Sequence, residues 1–323
     1  MIKKLVLILL PFLSFPQTKI IYTAVDYSLN EVRAAICDSS GSNKYDLGFS
    51  KTYLPVWFGD NILFNSDTYI WKCDTVGGNL TKMMEGFRVS VSHDETMFAF
   101  YNLKGIGIAD TSGKIIKQYL VEPWRDVTIT WSKNDDQISY YNLEKETCYL
   151  FNLENDSLIN FGEEIFNPLW HKSNSYILYN QKNKDGLFDV ILNSIEKNKR
   201  LILNSPGEMA LVPIWSNDGT KIAYLVIKDK PKMEVQTDML ESTLMLYDLK
   251  TKAHTILTGD AGFTDQAFPQ MSFDKNDKNI YYTSISSTGI GTLTKINLKT
   301  LSKEIISRNK NIDERFPLVK TFK

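Results

Sequence analysis

Cysteine and histidine are both scarce, with three of each in 323 residues. Cys37, Cys73 and Cys148 are an odd, widely spaced set, which excludes a disulfide framework. No two of them stand at the spacing of a metal knuckle, so they read as small apolar strand residues. Charge imbalance is missing as well: 37 Lys and Arg stand against 38 Asp and Glu, and the basic residues are scattered among the acids. That excludes a nucleic-acid footprint and a polybasic patch for an anionic membrane. No stretch keeps a long helical periodicity, and no Gly-Ser or Pro-rich linker divides the chain. Neither a G-x-S-x-G elbow nor an H-E-x-x-H pair occurs. "GIGIAD" and "GIGTLT" lack the third glycine of a dinucleotide loop and read as turn glycines beside strands.

One long apolar run is present, and it lies at the N-terminus. "MIKKLVLILLPFLSFPQ" places Lys3 and Lys4 before an apolar core from Leu5 to Phe15. That core is shorter than the about 20 residues a membrane helix needs, and it fits a secretory signal. Pro11 and Pro16 argue against a buried first strand. Residues 1–16 are therefore expected to be a signal peptide cleaved before Gln17. Residues 17–323 then form one exported domain, periplasmic or extracellular, with no transmembrane segment. No cysteine follows the apolar core, so lipid anchoring is not supported.

The body of the chain repeats itself. "VPIWSNDGTKIAYLV" (212–226) has an apolar start at Pro213 and Trp215, a turn at Asn217-Asp218-Gly219 and a second apolar run through Tyr224. Trp131 and Tyr140, Trp170 and Tyr179, and Val91 and Phe100 recur at the same separation. Trp57 opens a copy with a shorter turn, and Met271 one with a turn two residues longer. "RFPLVKTFK" begins the pattern again with Pro317 and Val319. Between the copies lie turns opened by Asp or Asn, as in "KCDTVGGN", "IADTSGK", "FNLENDS", "LNSIEKN" and "YDLKTKA". Such side chains can bond backbone amides two residues on. Each repeat of roughly 34 to 56 residues reads as four strands, the pattern of propeller blades. The first blade lacks its first strand near the N-terminus, and "RFPLVKTF" supplies it. The expected fold is therefore all-β, a seven-bladed β-propeller of six complete blades plus one closed by the C-terminal strand, with no open seam.

At "PIWSNDGTKIAY" the sequence resembles the TolB-type, WD40-like propeller repeat, whose consensus runs near P-x-W-S-P-D-G-x-x-I-A-F. The resemblance spans nearly the whole mature chain but rests on about a dozen residues per blade. It implies the fold and leaves function open, because many activities sit on this scaffold. The protein that gives the family its name is periplasmic, with an extra N-terminal domain and six blades. Neither feature is found here, and its role is not carried over. Pectin-degrading lyases with similar repeats use a His-rich metal site, for which this chain has too few histidines. His93, His171 and His254 fall in different blades on the tight-turn face, which does not make a zinc site. A prolyl-oligopeptidase-like enzyme needs a hydrolase domain of some hundreds of further residues.

The repeated residues read as structural: a Trp between blades, turns tolerant of positive φ, and Ile222 and Tyr224 facing one side of the sheet with Ala223 facing the other. Function is expected in loops. One face keeps tight turns. The other carries "IKDKPKMEVQTDMLES" (227–242) and the blade-to-blade loops, and is the expected binding face. Its candidate side chains are Trp124, Arg125, Asp126, Glu163, Glu164, Glu208, Asp265 and Arg315. Mixed charge with an aromatic suits a protein, peptide or glycan ligand. The leading expectation is a monomeric, non-enzymatic binding protein without cofactor or metal; the alternative is a propeller lyase or glycoside hydrolase acting on polysaccharide. Adjacent Glu163 and Glu164 point opposite ways in an extended chain and do not flank one glycosidic bond.

Overall fold

The computed structural model describes residues 17–121, 129–227, 239–264, 269–286, 289–307, 309 and 311–322. Among these the chain is all-β, without a helix, and it forms a β-propeller. The first sheet runs Ile312–Thr321, Thr18–Asp26, Glu31–Asp38, Tyr45–Asp46. The C-terminal strand pairs antiparallel with the first described one, Ile20 opposite Val319 and Thr23 opposite Arg315, as the split repeat requires. The second sheet runs Thr52–Phe58, Asn61–Ser66, Tyr69–Asp74, Thr81–Glu85. The third runs Phe87–Val91, Met97–Asn102, Gly105–Asp110, Ile115–Leu120. The fifth runs Ile165–Trp170, Tyr176–Lys182, Phe188–Ser194, Lys199–Ile202.

The other sheets depart from the expected seven equal units. The fourth has three strands, Gln137–Asn142, Thr147–Asn152 and Leu158–Glu163, and its anchor contributes only the bridge Trp131 to Ile138. Five sheets thus stand apart as blades. The remaining strands make one eight-stranded sheet: Met209–Trp215, Lys221–Ile227, Leu240–Asp248, His254–Phe263, then Asn279–Ile285, Gly291–Asn297 and Lys303–Ser307, with Met271–Phe273 on Asn279–Ile285. A single pair, Ala261 opposite Ser284, joins its halves, because His254–Phe263 runs on for ten residues and meets the next hairpin.

Second strands are apolar on both faces because both faces are buried. Ile222, Tyr224 and Val226 pack into the core shared with the fifth sheet, and Ala223, Leu225 and Ile227 pack into the core shared with the strands that follow. Last strands are the exposed rim; all of Lys199–Ile202 is exposed. Cys37 and Cys73 end equivalent third strands, and all three cysteines are buried and free. Burial pushes their thiols up to about 12.

Two details of the repeat differ from the sequence reading. In the last copy Phe273, not Met271, is the anchor: Phe273 lies opposite Ile280 as Trp215 lies opposite Ile222, so the turn between them is of ordinary length. In the fifth sheet Ser194 rather than Asn193 opens the third-to-fourth turn, accepting from the Lys197 amide at 3.4 Å. Asp74 and Asp248 follow expectation, accepting from Val76 N at 2.9 Å and Lys250 N at 3.0 Å, whereas the Asp38 carboxylate accepts from the side chains of Gln17 and Asn43.

Candidate functional site

Among the described residues, five first strands carry a bulge three residues before the anchor. Leu54, Arg88, Asn167, Val212 and Phe316 all have φ between 48° and 59°, and the pairing register slips at each. Proline follows four of them, at 55, 168, 213 and 317. A left-handed leucine, valine or phenylalanine costs roughly 1–2 kcal/mol and persists only where its surroundings hold it. Here a buried polar side chain of the preceding sheet holds it. Thr23 accepts from Leu54 N (3.2 Å), Asn65 from Arg88 N (3.2 Å), and Thr283 from Phe316 N (3.2 Å). Asn65 also donates to Gly86 O at 3.1 Å, and Asn180 to Ala210 O at 3.0 Å.

At the first three sheets these bulges line a cavity of about 550 Å³. Leu54, Phe87 and Phe316 give it an apolar floor, with Val25 and Val32 beside them. Its rim comes from the second-to-third hairpins at Asp26–Glu31 and Asp67–Thr68 and from the blade-to-blade segment Glu85–Gly86. This is the end of the ring where the sequence places the binding face. Arg315, a sequence candidate, lines it. Its guanidinium is fully buried 2.6 Å from the equally buried Asp313, and both groups contact the Tyr27 hydroxyl. Asp313 also accepts from Gly291 N at 2.7 Å, so the pair ties the first sheet to the sheet before it. The Ser28 hydroxyl and the Leu29 and Ser28 amides hold the Asp26 carboxyl below the usual range.

The other candidates lie elsewhere. Glu163 and Glu164 sit at the same end of the ring beside the fourth and fifth sheets, outside the cavity. The Glu163 carbonyl accepts from Gln181 Nε2 at 3.3 Å, and the Glu164 carboxylate lies 3.4 Å from Lys182 Nζ. Glu208 closes its own turn, accepting from Ser205 N at 2.9 Å. It lines a separate groove of about 750 Å³ between the fifth and sixth sheets, with Tyr224 and His254. That groove opens on the rim, between the exposed strands, and draws on two sheets rather than three. Trp124, Arg125, Asp126, Asp265 and most of the long loop 227–242 lie outside the described residues. Tyr53, Phe87, Arg88, Asp67 and Glu85 escaped the sequence reading. The signal was there for three of them, since Tyr53, Phe87 and Arg88 stand three or four residues before an anchor, as Arg315 does.

The histidines have structural partners. His93 Nδ1 lies 2.9 Å from Asp135, whose carboxylate also takes the His93 and Asp94 amides. His171 Nε2 lies 3.0 Å from Gly219 O, and His254 Nδ1 3.1 Å from the Tyr224 hydroxyl. Among the described residues no three His, Cys, Asp or Glu side chains come together as a metal site would need.

No family model and no curated protein matches the chain. Solved structures do. TolB from Acinetobacter baumannii superposes with a TM-score of 0.56 at 12% identity, over 90% of this chain and 79% of that one. The fold is that of a TolB-like β-propeller. A functionally unknown protein from Desulfotomaculum acetoxidans superposes at 0.56 with 14% identity, over 92% of this chain and 98% of that one. A puromycin-hydrolyzing peptidase of Mycobacterium tuberculosis superposes at 0.62 with 12% identity. The match covers 90% of this chain and only 54% of that peptidase. At such identities the likeness is one of fold.

Proposed function

We propose that this chain is an exported, non-enzymatic binding protein that presents its cavity face to a protein, peptide or glycan. The observation that carries the reading is the cavity itself: three neighbouring sheets build it, its floor is apolar, and its rim mixes both charges. Concave apolar sites with a few polar groups are the usual form of ligand pockets. Glu163, Glu164, Glu208, Trp124, Arg125, Asp126 and Asp265 extend the same face beyond the cavity in this reading.

The ring is proposed to hold seven repeats, with the eight-stranded sheet as two of them. Seven apolar clusters among the described residues support this, each shared by one repeat and the next. Export is supported by Lys3 and Lys4 ahead of the apolar run Leu5–Phe15. The mass of the protein recovered from an envelope fraction tests it, with Gln17 as the expected first residue. Among the described residues no helix is long and apolar enough to cross a membrane.

Residues 17–323, purified and applied to peptide and glycan arrays, test the binding reading. Ligands should be retained by the wild-type protein and lost by Phe87→Ala. Retention of none would overturn it. The alternative, a lyase or glycoside hydrolase, draws on the four carboxylates Asp26, Glu31, Asp67 and Glu85 around the cavity. New reducing ends or unsaturated products from a polysaccharide panel would establish it instead.

A further inference from the structure

The ligand class can be narrowed from the charges around the cavity, and the step rests on the binding reading above. We propose that the cavity selects a cationic apolar peptide segment, with one Lys or Arg side chain reaching the rim and bulky neighbours resting on the floor.

The argument begins with what the rim presents. Asp26, Glu31, Asp67 and Glu85 line the cavity, against Arg88 and Arg315. Arg315 carries its own counter-charge, because Asp313 lies 2.6 Å away and both are buried. Among the described residues, setting that pair aside leaves four carboxylates and one arginine on the lining, with the Asp26 carboxylate already accepting from Ser28 and Leu29. Glu31 is partly committed to Arg33, with which it forms an ion pair. Asp67 and Glu85 are exposed, at the tip of the second sheet's middle hairpin and at the end of its last strand. They come from the same sheet and line the cavity together with Leu54 and Phe87. A concave site with an excess of one charge raises the local concentration of the opposite charge. The Tyr53 ring adds a π-face on which a cation or an apolar side chain can rest, while the Phe87 ring stacks on Tyr101 and the Tyr27 ring lies under Arg315.

Size agrees. A space of about 550 Å³ falls within the range of small-ligand clefts and holds a few side chains of an extended segment, not a folded domain. An acidic segment meets the same rim with like charge, and a neutral glycan leaves the carboxylates without a partner.

Fluorescence polarisation with three labelled peptides tests this. The peptides share the same bulky apolar flanks and differ in one central residue, Lys, Gln or Glu. The protein is used as residues 17–323, as wild type, as Phe87→Ala, and as the double variant Asp67→Asn with Glu85→Gln. Asparagine tolerates the left-handed backbone of Asp67 (φ 50°), and both sites are exposed, so the double variant should melt like the wild type. The Lys peptide should bind the wild type about tenfold more tightly than the Gln peptide, and the Glu peptide more weakly still. The preference should shrink to about threefold or less in the double variant and in about 0.5 M salt. Phe87→Ala should weaken all three. Equal binding of the three peptides, or a preference untouched in the double variant, would overturn cationic selection while leaving the peptide-binding reading in place. If no peptide binds but the arrays yield another ligand, the inference fails and the general reading stands; if nothing binds in either format, both fail.

Discussion

The indole Nε1 of Trp215 donates to the carbonyl of Leu169, one sheet back, over 3.1 Å. Trp131 does the same to Ser90 and Trp57 to Leu318, each at 3.0 Å. Every acceptor is the residue just before the anchor of the preceding repeat. The large side chain thus fills the seam between sheets and also fixes their relative height. Trp215→Phe should keep most of the packing and lose the bond, costing about 1 kcal/mol. Trp215→Ala should cost about 2–4 kcal/mol, since the ring is only partly buried. Urea unfolding of the two variants separates the contributions.

Asn65 joins the stability of the ring to the shape of the cavity. It is fully buried and satisfies both Gly86 O and Arg88 N, and the two residues it holds line the cavity. Asn65→Ala leaves a buried donor and a buried acceptor unpaired, a loss of about 2–4 kcal/mol. At temperatures where the variant is still folded, it should also bind array-selected ligands more weakly, as measured by polarisation.

Asp313→Asn should be among the most damaging single changes. It removes the counter-charge of a buried guanidinium, for which about 3–5 kcal/mol is expected. Asp313→Asn combined with Arg315→Met should recover part of that loss, because the buried charge is then gone. Equal losses in the single and double variants would show that packing, rather than charge, dominates.

The three thiols should be silent in the folded protein. Burial holds each near 12, so almost no thiolate exists at pH 8. Ellman's reagent should report none natively and three after denaturation.

Asp218 sets a pH limit. Burial alone would raise its carboxyl, but the Thr220 amide and the Ser216 and Thr220 hydroxyls outweigh that and hold it at about 2, against 3.8 for an ordinary aspartate. A group lowered in the folded state stabilises fully above the ordinary value. The contribution is lost as pH falls from about 4 through about 2. Asp218→Asn should flatten the acid limb of a stability–pH curve in that window, and the exposed position keeps the effect modest.

The closed ring was legible because its determinants are local and repeated. A Trp or Val before a short turn recurs in successive copies, and the pairing of the C-terminal strand with the first described one follows from counting strands. The merging of two units through Ala261 and Ser284 was not legible, since one backbone pair leaves no mark on composition. Phe273 was misaligned with Met271 because both are apolar and two apart, so either keeps the alternation. The expected binding face rested on loop length, which included Arg315, a residue lining the cavity, but favoured the longer loops elsewhere. The cavity instead depends on bulged backbone, where residues of positive φ such as Leu54 and Phe316 join the lining. A proline after the bulge was the visible trace, and its meaning needed the third dimension.

The strand pair that closes the ring has a mechanical consequence. Thr18 lies opposite Thr321 and Asp26 opposite Ile312, so the two ends of the described chain leave the pair side by side, although Thr18 and Thr321 are 303 residues apart in sequence. Tension applied between them pulls along the rungs, strand from strand, rather than across them. The rungs break one at a time, like a zipper, instead of all together as in shear. A ring held by seams of aromatics is therefore opened most easily at one place, by tension between its two ends.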